Sequence, residues 1–250
     1  MFMRFVQLGI KPEAAAAFER FYAHRVAPTL LGIDGCIFAR LIKSTEKDSE
    51  FISFTLWNSQ DQALEYENSG QYKQLLKENE PFEAVSSEWK IQLTEDNTLE
   101  YRPVRNEPDV KAMPIVAGSA EEDATNKLTG SPYIRMLNAQ VNPERFEELS
   151  DTYANVITPA LLKIEGCQAA YLIGMPDKNE GLSVTIWESK ELADAYESSG
   201  KFAELMEKVK PFLSSWYQWK MTLDPKKQQN MHTSGEVSIK GYQVVSGSSN

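Results

Sequence analysis

The chain has 250 residues, of which 42% are hydrophobic and 25% charged, and its formal net charge is −10. That acidity argues against a phosphate-neutralising nucleic-acid surface and against a basic face for an anionic membrane. No run approaches the ~18 unbroken apolar residues of a membrane span, and no basic segment followed by an apolar one opens the chain, so a cytoplasmic protein without nucleic-acid or membrane partners is expected.

Phe2 to Leu8, rich in aromatic and aliphatic residues, is predicted as the first strand. Lys11-Pro12-Glu13 then opens a helix, because Pro suits the first turn and Glu the positive end of the dipole. Phe18, Phe21, Tyr22 and Arg25 keep the 3.6-residue period. Gly32 to Gly35 forms the turn out of it. Cys36 to Ser44 and Glu50 to Trp57 read as two strands around a charged turn, Thr45 to Ser49. Ser59 is suited to N-cap a helix through Ala63, Leu64 and Tyr66. Ser69-Gly70 breaks it before a second helix with Tyr72, Leu75 and Leu76, and Pro81-Phe82 closes that region. Val85 to Leu93 reads as a final strand.

The same order then recurs. Pro28 to Cys36 returns as Pro159 to Cys167, and Phe54 to Ser59 as Val184 to Ser189, at an offset of 131 (167 minus 36) that falls to 130 (187 minus 57). A period of this length is a whole small domain, too long for a solenoid unit. The second copy has a strand from Tyr133 to Val141, a helix opening at Pro143-Glu144, and strands Cys167 to Ile173 and Leu182 to Trp187 around Pro176 to Asn179. Its later helices break at Ser199-Gly200, and Pro211-Phe212 precedes a last strand through Trp219-Lys220. Val110 to Ser119 resembles Ile239 to Ser248, so each copy also carries a C-terminal extra strand. The expected domains are 1–118 and 132–250, joined by an acidic linker over 119–131. The order β-α-β-β-α-β is that of a ferredoxin-like α+β unit.

Phe18-Glu19-Arg20-Phe21-Tyr22, Leu31-Gly32-Ile33-Asp34-Gly35 and Phe54-Thr55-Leu56-Trp57-Asn58-Ser59 resemble the antibiotic-biosynthesis-monooxygenase domains of the dimeric α+β barrel superfamily. Within that family they look most like heme-degrading monooxygenases. The second copy matches through Ile164-Glu165-Gly166 and Thr185-Ile186-Trp187-Glu188-Ser189. The resemblance implies two sheets packed back to back, normally by dimerisation. A tandem duplicated chain would close that barrel within one molecule as an intramolecular pseudo-dimer, because each apolar sheet face must be covered. It also implies a small-molecule pocket between sheet and helices. A further homodimer is compatible with this arrangement.

The heme-degrading members use an Asn on the first strand, a Trp on the helix after the hairpin and a His on the next helix. The resemblance puts the Asn position near Val6 or Gln7 and near Asn138, the Trp position at Tyr66 and Tyr196, and the His position near Leu76 and Met206. Both copies therefore lack the His, and heme is not the expected cofactor. The cofactor-free members hold a phenolic anion near O2. For that chemistry the repeated Arg4 and Arg135 would bind a substrate carboxylate or phenolate, or would pair with an acid at the sheet edge. Gln7 and Asn138 would orient a substrate oxygen or cap a sheet edge. Tyr66 and Tyr196 would offer phenols at a pocket mouth or fill the core. Trp57 and Trp187 would contact substrate or anchor the core. Cys36 and Cys167, the only cysteines, read as packed small residues, since neither has a CxxC or His neighbour. No zinc spacing, phosphate loop or Ser–His–Asp pattern occurs, so no metal is expected. Three readings follow: a cofactor-independent monooxygenase acting on a small aromatic or quinol-like molecule, a heme-binding or heme-degrading protein, or a non-catalytic ligand-binding or assembly module.

Overall fold

The computed structural model describes residues 1–84, 89–93, 99–103, 109–118, 132–175, 180–214 and 237–249, with backbone only at 89–93, 99–103, 109–118, 175, 180 and 237–249. The expected linker, the Pro176 to Asn179 turn, the strand through Trp219-Lys220 and His232 lie outside the described residues.

The N-terminal unit contains β1 (Phe2–Gly9), α1 (Ala15–Phe21), α2 (Ala27–Leu31), β2 (Cys36–Ser44), β3 (Glu50–Trp57), α3 (Gln60–Asn68) and α4 (Gly70–Asn79). Next come β4 (Trp89–Leu93), β5 (Leu99–Pro103) and β6 (Asp109–Gly118). The C-terminal unit contains β7 (Tyr133–Gln140), α5 (Phe146–Thr152), α6 (Thr158–Leu161), β8 (Cys167–Met175), β9 (Glu180–Trp187), α7 (Lys190–Ser198), α8 (Lys201–Val209) and β10 (Val237–Ser249).

Eight strands close one barrel in the order β1-β3-β2-β10-β7-β9-β8-β6. Within it, β6-β1-β3-β2 and β10-β7-β9-β8 each have the ferredoxin-like order, with the first strand inside and the fourth beside it. The fold is thus α+β: two ferredoxin-like units in one intramolecular barrel. This corrects the expectation for Val85 to Leu93. Part of it is a strand, β4, but among the described residues β4 pairs only with β5, in a separate hairpin. The tail strand β6 takes the place beside β1. Both segments read as strands in the sequence, the tail through its recurrence in the second copy; nothing local says which of them reaches the sheet.

The two tail strands also join the halves. β6 pairs β1 from Asp109 to Pro114, then shifts register between Ile115 and Ala117 and continues against β8. β10 does the reverse, running along β7 and then, past a shift between Val244 and Ser246, along β2. A bulge bends a strand and lets it turn from one sheet into the next. Closure leaves the barrel no free edge.

Side-chain alternation divides each sheet into two faces. Met3, Phe5, Phe38, Phe54, Ile134, Met136, Tyr171 and Val184 meet inside the barrel, so both halves share one core. Phe2, Val6 and Leu8 of β1 face the other way, onto the N-terminal helices. Tyr133 and Leu137 of β7 do the same in the C-terminal half.

Two local devices set the helices on these faces. α1 runs into α2 through a π turn, Tyr22–Val26, and α5 into α6 through Tyr153–Ile157. Pro28 and Pro159 follow closely and cannot return the N–H that a regular helix needs. Gly35 and Gly166 then adopt φ of 84° and 80° to turn the chain into β2 and β8. A side chain at Gly35 would also collide with Gln62, its ideal Cβ lying 2.3 Å from that side chain.

Candidate functional site

In each half a cavity lies between the outer sheet face and the helices. The N-terminal cavity, about 50 Å³, is lined by Arg4 and Val6 of β1, Tyr22, Ser53, Tyr66 and residues of α4. The C-terminal cavity, about 60 Å³, is lined by Leu137 and Ala139 of β7, Tyr153, Ser183, Tyr196 and residues of α8.

The sequence puts Arg4 opposite Thr55 and Arg135 opposite Thr185, so the same cross-strand pair is built twice. Arg4 is only 2% exposed and Arg135 only 3%. A buried cation needs partners. Arg4 Nε donates to Glu67 Oε2 at 3.4 Å, and Arg135 Nε donates to Glu197 Oε1. The Arg4 guanidinium also lies over the Tyr72 ring at 4.7 Å and near Tyr66 at 5.7 Å. Arg135 lies over Phe202 at 4.5 Å and near Tyr196 at 5.7 Å. Such contacts contribute about 0.5–2 kcal/mol.

Behind the arginine stands an aromatic stack. Trp57 packs on Tyr66 with ring centroids 5.3 Å apart, and Trp187 on Tyr196 at 5.1 Å. Each indole N–H donates to a threonine hydroxyl at 2.9 Å, Trp57 to Thr55 and Trp187 to Thr185. The tryptophans support Tyr66 and Tyr196 from behind and do not themselves line the cavities.

Gln7 and Asn138 are placed differently. They share the strand face of Met3, Phe5, Ile134 and Met136, toward the barrel interior, and neither lines a cavity. Gln7 is half-buried and Asn138 exposed. The pocket-facing neighbours are Val6 and Leu137, both aliphatic. Thus Arg4 meets Tyr66, which stacks on Trp57, Arg135 meets Tyr196, which stacks on Trp187, and the two amides stand on the opposite face.

Other lining groups were passed over in the sequence. Tyr22 Oη and Ser53 Oγ share a hydrogen bond of 2.9 Å at the cavity wall, and Tyr153 and Ser183 repeat it at 2.8 Å. The repeat itself carried that signal, since both residues recur at the domain offset. Burial pushes the phenols of Tyr22, Tyr66, Tyr153 and Tyr196 well above the usual tyrosine range, so they stay neutral donors. Burial likewise pushes the Cys36 and Cys167 thiols up to about 12, which removes them as nucleophiles near neutral pH.

Leu76 and Met206 line the cavities at the positions where the resemblance would put a heme ligand, and neither carries an imidazole. The one described histidine, His24, is exposed on the first helix. No group of three or more His, Cys, Asp or Glu residues is arranged to hold a metal among the described residues. No helix among them is long and apolar enough to cross a membrane.

A barrel of two ferredoxin-like units, each with a sheet–helix cavity, defines an α+β-barrel protein. The chain belongs to the antibiotic biosynthesis monooxygenase family, whose profile matches residues 1–78 and 132–208. Among solved structures it is similar to a "putative monooxygenase" of Fusobacterium nucleatum, with a TM-score of 0.65 at 8% identity, covering 98% of this chain and 92% of that one. A "putative monooxygenase" of Lactobacillus acidophilus gives a TM-score of 0.61 at 9% identity over 98% and 96% of the two chains. An "anthrone oxidase-like protein" gives 0.51 at 12% identity over 97% and 90%. These likenesses concern the fold. No curated protein matches the sequence.

Proposed function

We propose that the protein is a cofactor-independent monooxygenase acting on a small aromatic, quinol-like molecule held in a sheet–helix pocket. The observation that carries this reading is the Arg4 guanidinium at the wall of an otherwise largely apolar cavity, backed by the Tyr66–Trp57 stack. A fixed cation in a dry site stabilises an anion far better than water does. The described lining residues of that cavity supply no carboxylate or imidazole as a base, and their buried tyrosines stay protonated. The substrate must therefore be acidic enough to ionise by itself, as a phenol or enol of an electron-rich ring does.

The chemistry then belongs to the substrate. An enolate carbon passes one electron to O2, and the resulting radical and superoxide combine to form a C–O bond. The peroxide takes up a proton, then loses the remaining proton from that carbon and breaks its O–O bond. A CH2 becomes C=O and one water leaves, with no external reductant. The name of the anthrone oxidase-like neighbour supports trying such a ring first. The described cavities are far smaller than the ~300–1,000 Å³ of typical ligand sites, so a tricyclic ring enters only when the helices part from the sheet. Heme is not part of the reading, because its ligand position is Leu76 or Met206.

The test is oxygen uptake by the full chain with 1,8-dihydroxyanthrone and a panel of quinols, against an enzyme-free control. Uptake that saturates with substrate and falls at least tenfold in Arg4→Met supports the reading. No uptake above the control with any member of the panel removes it.

A further inference from the structure

The two cavities are not chemically equal. The N-terminal one is lined by two buried polar groups that each have one atom without a partner. Arg4 spends Nε on Glu67 and its flat face on Tyr72, and its Nη2 finds no acceptor. Asn79, at the end of α4 and 5% exposed, donates from Nδ2 to Glu83 Oε1 at 2.8 Å. A carboxylate can only accept, so this bond fixes the amide orientation and leaves Oδ1 facing away without a donor. Both residues line the same cavity. Buried donors and acceptors are nearly always matched, so two unmatched ones at one cavity call for something that pairs with both.

The C-terminal cavity lacks this arrangement. Val209 stands in the place of Asn79, and Phe202 in the place of Tyr72. Arg135 also has an unpaired Nη2, but it does not line the cavity. The remaining wall is largely aliphatic, from Leu137, Leu149, Ile157 and Leu205. The duplication therefore gives one cavity lined by a cation and a free acceptor, and one lined by neither.

We propose that the N-terminal cavity is the ligand site of the molecule, and that it takes a small organic anion that also carries a hydroxyl. The anionic oxygen accepts from Arg4 Nη2, and the hydroxyl donates to Asn79 Oδ1. Leu8, Phe18, Val26 and Leu30 enclose the hydrocarbon between them. This deepens the oxygenase reading by choosing the half and the functional groups, and it rests on that reading only for the later reaction. At about 50 Å³ the closed cavity holds waters, at about 10–15 Å³ each; these are the competing occupants, and a ring-bearing anion displaces them as the helices part from the sheet.

The probes are 3- and 4-hydroxybenzoate, benzoate and phenol, titrated into the full chain by calorimetry and 15N NMR. At least one hydroxybenzoate should bind saturably, more tightly than benzoate, with shifts confined to the N-terminal half. Arg4→Met should weaken it at least tenfold, and Arg135→Met by less than twofold. Asn79→Val, which copies the second half, should bring the hydroxybenzoate down to the affinity of benzoate and leave benzoate unchanged. It keeps the test decisive if Arg4→Met fails to fold. Saturation by neither hydroxybenzoate, phenol binding as tightly as benzoate, or equal weakening by Arg135→Met would overturn the proposal. Acid binding without oxygen uptake would remove the oxygenase reading alone. Turnover of neutral phenols without any acid binding would remove this one alone.

Discussion

Arg25, on the π turn of the first helix, grips Glu78 of α4 with Nε at 2.8 Å and Nη2 at 2.9 Å, and so ties together the two helices that flank the N-terminal cavity. Their counterparts in the second half are Val156 and Lys208, and a groove of about 400 Å³ lies there instead. The half whose cavity is lined by Arg4 and Asn79 is clasped and the other half is not.

The clasp predicts a pH dependence. Hydrogen bonding from Arg25, with a second bond from Gln74, holds the Glu78 carboxyl down to about 2. A folded-state value below the unfolded value of about 4.3 stabilises above that value and is lost as pH falls through the folded one. Thermal unfolding at low salt should show the natural protein ahead of Glu78→Gln at pH 6, with the gap closing toward pH 2. Both side chains are partly exposed, so added salt should shrink the gap as well. A gap that persists at pH 2 contradicts the clasp.

The phenol–serine pairs predict a cost in each half. Tyr22→Phe leaves Ser53 Oγ without its partner at 2.9 Å, and Tyr153→Phe does the same to Ser183 at 2.8 Å. Each should lower stability by about 1–2 kcal/mol in urea titrations. No change in either variant would show these bonds to be dispensable.

The fold was legible in the sequence where the signal was local and repeated. Pro12 and Pro143 at helix starts, Ser59 and Ser189 as N-caps, and the Thr-x-Trp strands all marked the right elements. Arg4 and Arg135 stood out because a charged residue inside an apolar strand demands a partner. Their partners, Glu67 and Glu197, are far along the chain, half-buried on helices where many acids look alike. Strand facing explains the remaining differences. Gln7 lies one residue from Val6, and in a strand that single step moves a side chain to the other face. β4 and β6 were both readable as strands, but which one pairs with β1 depends on contacts across the barrel.

Barrel closure predicts the effect of losing β10. Removing Val237–Ser249 leaves β7 and β2 as open edges. The shortened chain should self-associate in size-exclusion chromatography with light scattering, while the full chain keeps its own oligomeric state. An unchanged state in the shortened chain would mean that β10 is not part of the closure.

The shared interior predicts that the two halves unfold together. Phe54 packs between Phe5 at 5.0 Å and Phe38 at 5.2 Å, inside the barrel that both units line. Phe54→Ala should cost about 3–5 kcal/mol. It should lower one common transition, seen alike by far-UV and near-UV circular dichroism. Two separated transitions would show independent halves.

The most direct test of the oxygenase account is isotopic. The chain is supplied with 18O2 and whichever phenol it consumes, and product and water are analysed by mass spectrometry. The account predicts one labelled oxygen in the product and the other in water, with no hydrogen peroxide released. A product oxygen drawn from water, or peroxide formed in step with oxygen uptake, would contradict it.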